Sequence, residues 1–467
     1  MEKFSIRSLL LIISINVCLL HSSLYAQDTT GLPIGMGWKY IGSPGFSPDF
    51  ASQVDLIFDS TGMPFLSFIE FSNPQKPSVM HYSNNLWSYV GNSQFSEGDA
   101  LNLSMKLDKS GSPYCVFEDL QQNAKGAVFH LVDSIWKSTD TITAPGYVFW
   151  MPSITFDTNN ILYVSYYNPF DYYIVVKKLV EGQWIDAGFP TDFIQQGEPS
   201  IFTMPNGELV ISHFFYVYEE GVYKTVFFKY ENNQWNLMPV GNILSDYLSS
   251  GKIYLSPLGE FYLAGVQTIS NVQYISVQKL AGSQWHYVGS PQIHESHTYD
   301  FNMAFNKYGR PYISFVEEEA NKFNILAFND GFWESIDSTG NFPASYGGPY
   351  LAFNNENQLC IAFEDWYYGG KLSVMKYDTL YTGIQCPEHI SQSFITIYPN
   401  PSTSELHIDT KVDFEKVSIY NIAGQEIYCV RNPERTFNIK TGNYMPGLYI
   451  VQFLNNNLLI TKKFLIK

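Results

Sequence analysis

The sequence predicts an all-β protein whose main body repeats one four-stranded unit. Two observations support this prediction most directly: a tryptophan that recurs every 48 to 51 residues, and a Gly or Asn that recurs between two apolar runs. The aromatic share of 17% is a further observation in favour of this prediction, because large flat side chains suit the gaps between closely packed sheets.

Residues 54–91 contain one complete unit. Four short apolar runs are separated there by turn residues, which is the pattern of a four-stranded antiparallel meander. The pattern returns, with variations, up to about residue 381.

Two sets of positions fix the register of the repeat. One set is the recurring tryptophan, and the other is the turn residue between the first two apolar runs of each unit. Every turn residue is Gly or Asn, the types that most readily accept positive φ in a tight hairpin. The recurring tryptophans are Trp38, Trp87, Trp136, Trp184, Trp235, Trp285 and Trp333, and a further step reaches Tyr381. The turn residues are Gly62, Gly111, Asn160, Gly207, Gly259, Gly309 and Asn357.

Units of this length with four strands each are typical of propeller blades. A blade is covered on both faces by its neighbours, so its strands should be apolar on both faces, as residues 161–167 and 224–230 are. The sequence therefore predicts a seven-bladed β-propeller over residues 27–385. We expect the strand around Trp38 to close the ring by pairing with the unit of residues 349–377; in the alternative, Tyr381 supplies that outer strand.

The N-terminus has the features of a secretory signal peptide over residues 1–26. Lys3 and Arg7 precede an apolar run, and Ala26 provides a small residue at the cleavage point. No other stretch approaches the ~20 apolar residues of a transmembrane helix. Cys115 and Cys360 are expected to be free, buried thiols, because a large propeller core does not need disulfides.

The charge of the chain argues against a nucleic-acid partner. Of the formal net charge of −17, residues 1–26 carry +1 and residues 394–467 carry +2, which leaves −20 on the region between them. Such a surface repels phosphate backbones.

The repeat stops at about residue 382, and residues 386–393 are interpreted as a linker. Short alternating strands with Gly and Asn turns follow, which predicts a small Ig-like β-sandwich over residues 394–467. Four motifs of this segment resemble the type A C-terminal sorting domain of the type IX secretion system. They comprise Tyr398-Pro399-Asn400-Pro401, Tyr420-Asn421 with Gly424-Gln425, Gly447-Leu448-Tyr449, and Lys462-Lys463.

This resemblance implies a secretion route and a partner. The protein is expected to cross the inner membrane by its signal peptide and the outer membrane by recognition of the sorting domain. The secretion machinery is therefore an expected partner, and the mature protein is expected to be released or held at the outer-membrane surface. The resemblance implies nothing about what the propeller does.

Several enzyme classes are excluded by missing motifs. Arg310 is the only arginine between residues 27 and 393, whereas a sialidase-type propeller needs an arginine cluster for its substrate carboxylate. The sequence contains no G-x-S-x-G and no H-E-x-x-H motif.

Candidate ligand-binding residues lie in the loops after the second strand of each unit. Four of the seven equivalent positions are carboxylates from units that are consecutive in a closed ring, and we expect them to form an arc that suits a divalent cation such as calcium or a polyhydroxylated ligand. These carboxylates are Glu70, Asp119, Glu317 and Asp365. Ordinary solvated loops are the alternative interpretation.

Two further features are candidates for chemistry. His294 and His297 are spaced for metal binding in a loop, with a polar crossover loop as the alternative. Trp150 and the pair Trp366-Tyr367 are candidate sugar-stacking platforms, with packing between blades as the alternative. His213 is expected to be a half-buried structural histidine.

Two classes of function remain open from the sequence. The first is a non-catalytic module that binds a glycan or a protein, which the regular unit lengths favour because they leave little room for long insertions. The second is a polysaccharide-active enzyme, a glycoside hydrolase or lyase, with carboxylates in the mouth of the propeller.

Overall fold

The computed structural model describes residues 33–122, 125–139, 142, 149–169, 173–188, 197–217, 220, 222–239, 248–295, 300–317, 322–336, 348–381, 395–411, 413–421, 425–455 and 458–467. The predicted signal peptide and linker lie outside these residues. The described chain divides into two compact units, one of residues 38–378 and one that contains the C-terminal residues from 395 onwards. The described part consists of strands and loops, with short 3-10 helices at Leu120–Gln122 and Trp366–Tyr368.

Strands described before residue 382 form seven antiparallel sheets in which consecutive strands pair. We number the sheets in chain order and the strands of each sheet from first to fourth. Sheets 1 to 3 comprise Ala51–Phe58, Pro64–Glu70, Lys76–Ser83 and Leu86–Tyr89; Ala100–Leu107, Pro113–Asp119, Lys125–Val132 and Ile135–Ser138; and Trp150–Phe156, Leu162–Asn168, Tyr173–Val180 and Gln183–Asp186. Sheets 4 and 5 comprise Gly197–Thr203, Leu209–Val217, Val222–Glu231 and Gln234–Leu237; and Leu248–Leu255, Phe261–Ile269, Val272–Ala281 and Gln284–Tyr287, with His294–Glu295 added beside the third strand. Sheet 6 comprises Phe301–Phe305, Pro311–Glu317, Lys322–Asn329 and Phe332–Ser335, and sheet 7 comprises Tyr350–Phe353, Leu359–Asp365 and Lys371–Tyr381, with Pro33–Tyr40 as its fourth strand.

The N-terminal strand closes the series of sheets. It lies beside the third strand of sheet 7, and the chain continues along that strand with a hydrogen bond from Ile41 N to Val374 O of 2.8 Å. The ring of Trp38 packs 5.2 Å from that of Tyr377. The predicted closure by the strand around Trp38 is confirmed, and Tyr381 ends the third strand instead of forming a fourth.

The turn residues between first and second strands have the predicted backbone conformation. All seven have φ between +63° and +88°. Asparagine has an additional role where it replaces glycine: Asn160 Oδ1 accepts a hydrogen bond from Lys109 N at 2.9 Å, and Asn357 Oδ1 accepts one from Lys307 N at 2.7 Å. Each of these bonds joins the turns of two neighbouring sheets.

Most of the recurring tryptophans join neighbouring sheets through their indole N–H groups. Trp87 Nε1 donates to Ile41 O at 2.7 Å, and Trp136 Nε1 donates to Val90 O at 2.6 Å. In both cases the acceptor lies three residues after the preceding tryptophan of the series. Trp235 and Trp333 make the equivalent bond to Ala187 O and Val288 O. The tryptophan period is therefore the period of the contacts between sheets.

The buried apolar side chains of these sheets fall into seven clusters within the described residues. Each cluster is shared by two successive sheets, and one joins sheet 7 to sheet 1 through side chains such as Leu56, Phe68, Ala362 and Val374. The contacts thus follow a closed circuit. Cys115 and Cys360 are buried, free thiols in this core, as predicted.

The first strand is an edge strand in sheets 1 to 7, so its outward N–H groups need partners from outside the sheet. Equivalent side chains on the preceding first strand provide them. Asp55 Oδ2 accepts from Met105 N at 3.3 Å, Ser153 Oγ accepts from Ile201 N at 3.1 Å, and Asn302 Oδ1 accepts from Leu351 N at 2.9 Å. The first strands are therefore neighbours in register, and we call the space that they surround the channel.

Replacing Asp55 by Asn tests the charge of this position. Burial raises the pKa of the Asp55 carboxyl, although Lys106 and the Met105 N–H oppose that rise. An acid whose pKa is raised in the folded state loses stabilising free energy as the pH rises from its unfolded pKa through its folded pKa. Since Asn keeps the acceptor for Met105 N, we expect Asp55→Asn to melt at a higher temperature than wild type at pH 7, with the gap closing towards pH 3.5. A gap that does not change with pH would contradict this expectation.

The C-terminal unit has its own core between two sheets. The three-stranded sheet contains Ile395–Tyr398, Glu405–Thr410 and Thr436–Lys440, and the four-stranded sheet contains Lys416–Asn421, Glu426–Arg431, Gly447–Asn455 and Leu458–Ile466. Apolar side chains of both sheets, including Ile408, Val417, Ile439 and Phe453, form one buried cluster.

Candidate functional site

The loops between second and third strands share one end of the ring, because the first strands of the sheets lie in register. We call it the 2–3 end. Glu70, Asp119, Glu317 and Asp365 lie at this end, but each is the last residue of its second strand and not a residue of the loop that follows, where the sequence had placed it.

Each of the four carboxylates has a lysine directly opposite on the third strand, which the sequence analysis missed. The Lys322 Nζ lies 3.3 Å from Glu317 Oε2. A neighbouring cation lowers the negative potential of the arc and so weakens its attraction for calcium. The cross-strand pairs are Glu70 with Lys76, Asp119 with Lys125, Glu317 with Lys322 and Asp365 with Lys371.

The carboxylate oxygens of Glu70 accept hydrogen bonds from other side chains of the protein. Its Oε1 accepts hydrogen bonds from Ser78 Oγ at 2.6 Å and from Tyr89 OH at 2.8 Å, and its Oε2 accepts one from Gln94 Nε2 at 2.6 Å. The side chain is almost fully buried. Glu70 therefore ties the 2–3 hairpin to the outer strand of sheet 1.

Asp365 is fully buried and organises the chain that follows it. Its Oδ1 accepts from Tyr367 N at 3.1 Å, which caps the 3-10 helix Trp366–Tyr368. Its Oδ2 accepts from Ser373 Oγ at 2.8 Å and from Tyr40 OH at 3.3 Å. Burial raises the pKa of Asp365, and these hydrogen bonds oppose the rise because they stabilise the carboxylate.

Two glycines let aromatic rings approach this helix closely. Gly370 has φ +76°, and a Cβ there would lie 2.3 Å from Phe50 Cδ2. At Gly45 a Cβ would lie 2.5 Å from Tyr368 Cβ. A larger residue would clash at both positions, so glycine is required there. Phe50 and Tyr368 therefore pack directly against the backbone of the segments that contain Gly370 and Gly45.

Six aromatic side chains lie around Phe50 and Asp365 at the junction of sheets 7 and 1. Phe50 touches two of them edge-on, with ring centroids 5.3 Å from Phe71 and 6.3 Å from Trp366. Tyr367 is 73% exposed, Phe71 56% and Trp366 45%. We name this group the aromatic platform. Its members are Tyr40, Phe50, Phe71, Trp366, Tyr367 and Tyr368.

A second exposed apolar group lies at the junction of sheets 2 and 3. Trp150, Met151 and Leu120 are exposed there, above the buried Glu118. Glu118 Oε1 accepts from Asn102 Nδ2 at 2.5 Å and from Met151 N at 3.0 Å. Sequence reasoning missed Glu118, although the signal was present in the repeated F-E-D of residues 117–119 and 363–365.

The predicted histidine site is only partly described. His294 Nδ1 lies 2.6 Å from Glu295 O, and its ring packs 4.9 Å from that of Phe315. His297 lies outside the described residues. In the part of the chain that the structure describes, no group of three or more His, Cys, Asp or Glu side chains is arranged for a metal ion. His213 is fully rather than half buried, and it stacks 5.1 Å from Phe215.

Three of the predicted sorting motifs lie wholly within the described residues: residues 398–401, 447–449 and 462–463. Asn400 Oδ1 accepts from Leu465 N at 2.9 Å, which joins the Tyr398–Pro401 motif to the last strand. Tyr398 is exposed, whereas Tyr449 is buried in the strand that Gly447 begins. A cleft of about 380 Å³ is lined by Asn400, Lys462 and Lys463 together with residues 395–397. Gly424 lies outside the described residues.

Comparison with known families identifies the C-terminal segment. Residues 396–467 match the family model described as the secretion system C-terminal sorting domain. This segment is a type IX secretion sorting domain, so the protein is exported by that system and is secreted or attached to the cell surface. Among the described residues, no helix is long and apolar enough to span a membrane.

No curated protein matches this sequence. Among solved structures, the chain is similar to PorZ, a surface component of the type-IX secretion system of Porphyromonas gingivalis, with 14% identity, a TM-score of 0.45, and coverage of 91% of this chain and 60% of PorZ. This chain thus spans 60% of the length of PorZ. An ulvan lyase of family PL25 gives 11% identity and a TM-score of 0.48, and the match covers 74% of this chain and 96% of the lyase. The GH93 α-L-arabinofuranosidase of Fusarium graminearum gives 12% identity and a TM-score of 0.41, and the match covers 62% of this chain and 96% of the enzyme.

Proposed function

We propose that this protein is an exported, seven-bladed β-propeller that binds a neutral glycan on the aromatic platform. In this proposal the seven sheets are the blades of one ring over residues 27–385, residues 1–26 are the signal peptide, and residues 394–467 fold as an Ig-like sandwich that serves export. The observation that carries the binding function is the platform itself. Five exposed rings, three of them on a capped helix and the other two on neighbouring segments, form a surface that the fold does not bury.

The chemistry of the platform suits a sugar better than a polyanion. Aromatic faces attract the polarised C–H groups of a pyranose ring, and Tyr40 and the neighbouring tyrosine hydroxyls provide hydrogen-bonding groups for its hydroxyls. Long polyanions are disfavoured by the net charge of −20 on residues 27–393, which follows from the charges of the sequence.

A rigid support strengthens this proposal. Asp365 caps the helix that carries Trp366 and Tyr367, and Ser373 links that carboxylate to Gly45 N at 2.9 Å. Side chains that are already held in place lose little conformational entropy when a ligand binds. The platform is therefore preorganised for a flat ligand.

A polysaccharide-active enzyme is the second candidate function, and Tyr350 is the observation that favours it. Tyr350 lies on the first strand of sheet 7, where burial and the nearby carboxylates of Asp300, Glu364 and Asp55 raise its pKa. This part of the channel wall brings a phenol and three carboxyl groups close together, and these are the kinds of group that act as acid and base in polysaccharide cleavage.

One experiment separates the two candidates. The mature protein is screened on an array of neutral and acidic polysaccharides, and every polysaccharide that binds is then incubated with it and assayed for new reducing ends and for unsaturated products. We expect binding of at least one neutral glycan without depolymerisation. Depolymerisation that is lost in Tyr350→Phe would establish the enzyme instead, and the absence of any glycan binding would refute the platform proposal.

A further inference from the structure

A cavity opens on the channel beside the first strands of sheets 4, 5 and 6. Its volume is about 180 Å³, and its lining includes Ser200, Phe214, Lys252, Tyr254 and Asn302. Ser200, Lys252 and Asn302 occupy the same position of three successive first strands, the position that Asp55 and Ser153 occupy in sheets 1 and 3. The repeat therefore brings these three side chains to one wall.

Lys252 is an unusual residue for that position. It is exposed although it lies on the innermost strand of its sheet, so its side chain reaches open space in the channel. Its Nζ lies 5.8 Å from the centre of the Phe301 ring, and among the described residues no carboxylate lies within 4.0 Å of it. A lysine in a cavity that has no carboxylate partner nearby can bind the anionic group of a ligand, and such a lysine is unusual in a strongly acidic region.

The other lining groups provide hydrogen bonds and an apolar wall. Asn302 Oδ1 is occupied by Leu351 N at 2.9 Å, which fixes the amide and leaves its Nδ2 as a donor. The Ser200 hydroxyl provides both a donor and an acceptor. Phe214 is buried, and a Cβ at Gly251 would lie 2.7 Å from its Cζ, so glycine leaves the space that the ring fills beside the cavity.

We infer that this cavity binds a monosaccharide carrying one carboxylate, a uronic acid, with Lys252 on the carboxylate. Ser200 and Asn302 bind ring hydroxyls, and Phe214 contacts the apolar side of the sugar. The volume leaves room for a six-membered ring, because cavities of about 150 Å³ accept benzene, and the cavity is open to the channel, into which the other groups of the sugar can project. The acidity of the surrounding protein restricts the site to a ligand of low charge. This site is separate from the aromatic platform and does not depend on it.

Calorimetric titration of the mature, full-length chain at low salt tests the inference. The probes are sodium glucuronate and sodium galacturonate, with glucose and galactose as uncharged controls and sodium acetate as the control for charge alone. We expect at least one uronate to bind about tenfold or more tighter than its neutral sugar and than acetate, because the ammonium makes a charge-assisted hydrogen bond.

Variants of two lysines locate the site. Lys252→Met is expected to weaken uronate binding about tenfold or more, Lys252→Arg to retain most of it, and Lys307→Met to leave it unchanged. Lys307 is a matched control because it is an exposed lysine near an aromatic ring, 5.1 Å from the centre of Tyr308, outside the cavity. Thermal melts of the variants confirm folding.

Three results would overturn the inference: no uronate binding, equal binding of uronate and neutral sugar, or uronate binding that survives in Lys252→Met. A protein that binds uronate through Lys252 but no neutral glycan would uphold this site and refute the aromatic platform. The two proposals are therefore judged separately.

Discussion

Trp136→Ala is expected to lower the free energy of unfolding by about 3–5 kcal/mol, the usual cost of deleting a buried aromatic side chain. Trp136 is buried, stacks on Phe95 with centroids 4.3 Å apart, and donates to Val90 O at 2.6 Å. Both partners lie in the segment between sheets 1 and 2, in the apolar cluster that these sheets share, so the substitution removes packing and a hydrogen bond from the same interface. Urea unfolding followed by far-UV circular dichroism measures the change.

Two further variants separate the contributions to this loss. Trp136→Phe keeps most of the packing but leaves Val90 O without its donor, so we expect a loss of about 1–2 kcal/mol. Phe332→Ala is the exposed control, with its side chain 71% accessible at the equivalent edge of sheet 6, and it should change stability by less than about 0.5 kcal/mol. A loss below about 1 kcal/mol for Trp136→Ala would show that the tryptophan period has another cause.

Trp366→Ala/Tyr367→Ala is expected to weaken glycan binding by about 30-fold or more while leaving the melting temperature nearly unchanged. Large aromatic side chains bury about 150–250 Å² each. If a sugar covers a quarter of the surface of the two rings, about 25 cal/mol/Å² corresponds to about 2–3 kcal/mol of binding free energy. Both rings are exposed, so little folding free energy depends on them.

The matched control for the platform is Tyr308→Ala. Tyr308 is 69% exposed and lies in the turn between the first and second strands of sheet 6, at the opposite end from the 2–3 hairpins. Affinity for the glycan found on the array is measured by calorimetry for wild type and both variants. Equal losses in the two variants would show nonspecific aromatic binding, and no loss in the platform variant would place the glycan elsewhere.

Much of the fold was predictable from the sequence because the repeat encodes its own contacts. The tryptophan spacing reflects the indole bonds between neighbouring sheets, and the turn residues Gly62 and Asn160 reflect a positive φ. Closure by the strand around Trp38 followed from having one more tryptophan position than units.

The site was less predictable because its groups come from different units. Phe50 and Trp366 are more than 300 positions apart in the chain and meet only when the first and last sheets do. The lysines opposite the predicted carboxylates were visible in the sequence, yet their pairing depends on a hairpin register that the apolar pattern does not specify. Lys252 carries no local motif, and its position becomes informative only beside Ser200 and Asn302.

A structure of the mature protein with its bound neutral oligosaccharide tests the central proposal most directly. We expect a sugar ring lying flat within van der Waals distance of Trp366 or Tyr367, with hydroxyls near the tyrosines of the platform. A sugar bound in the channel, or on the turns around Tyr308, with the platform empty would contradict it.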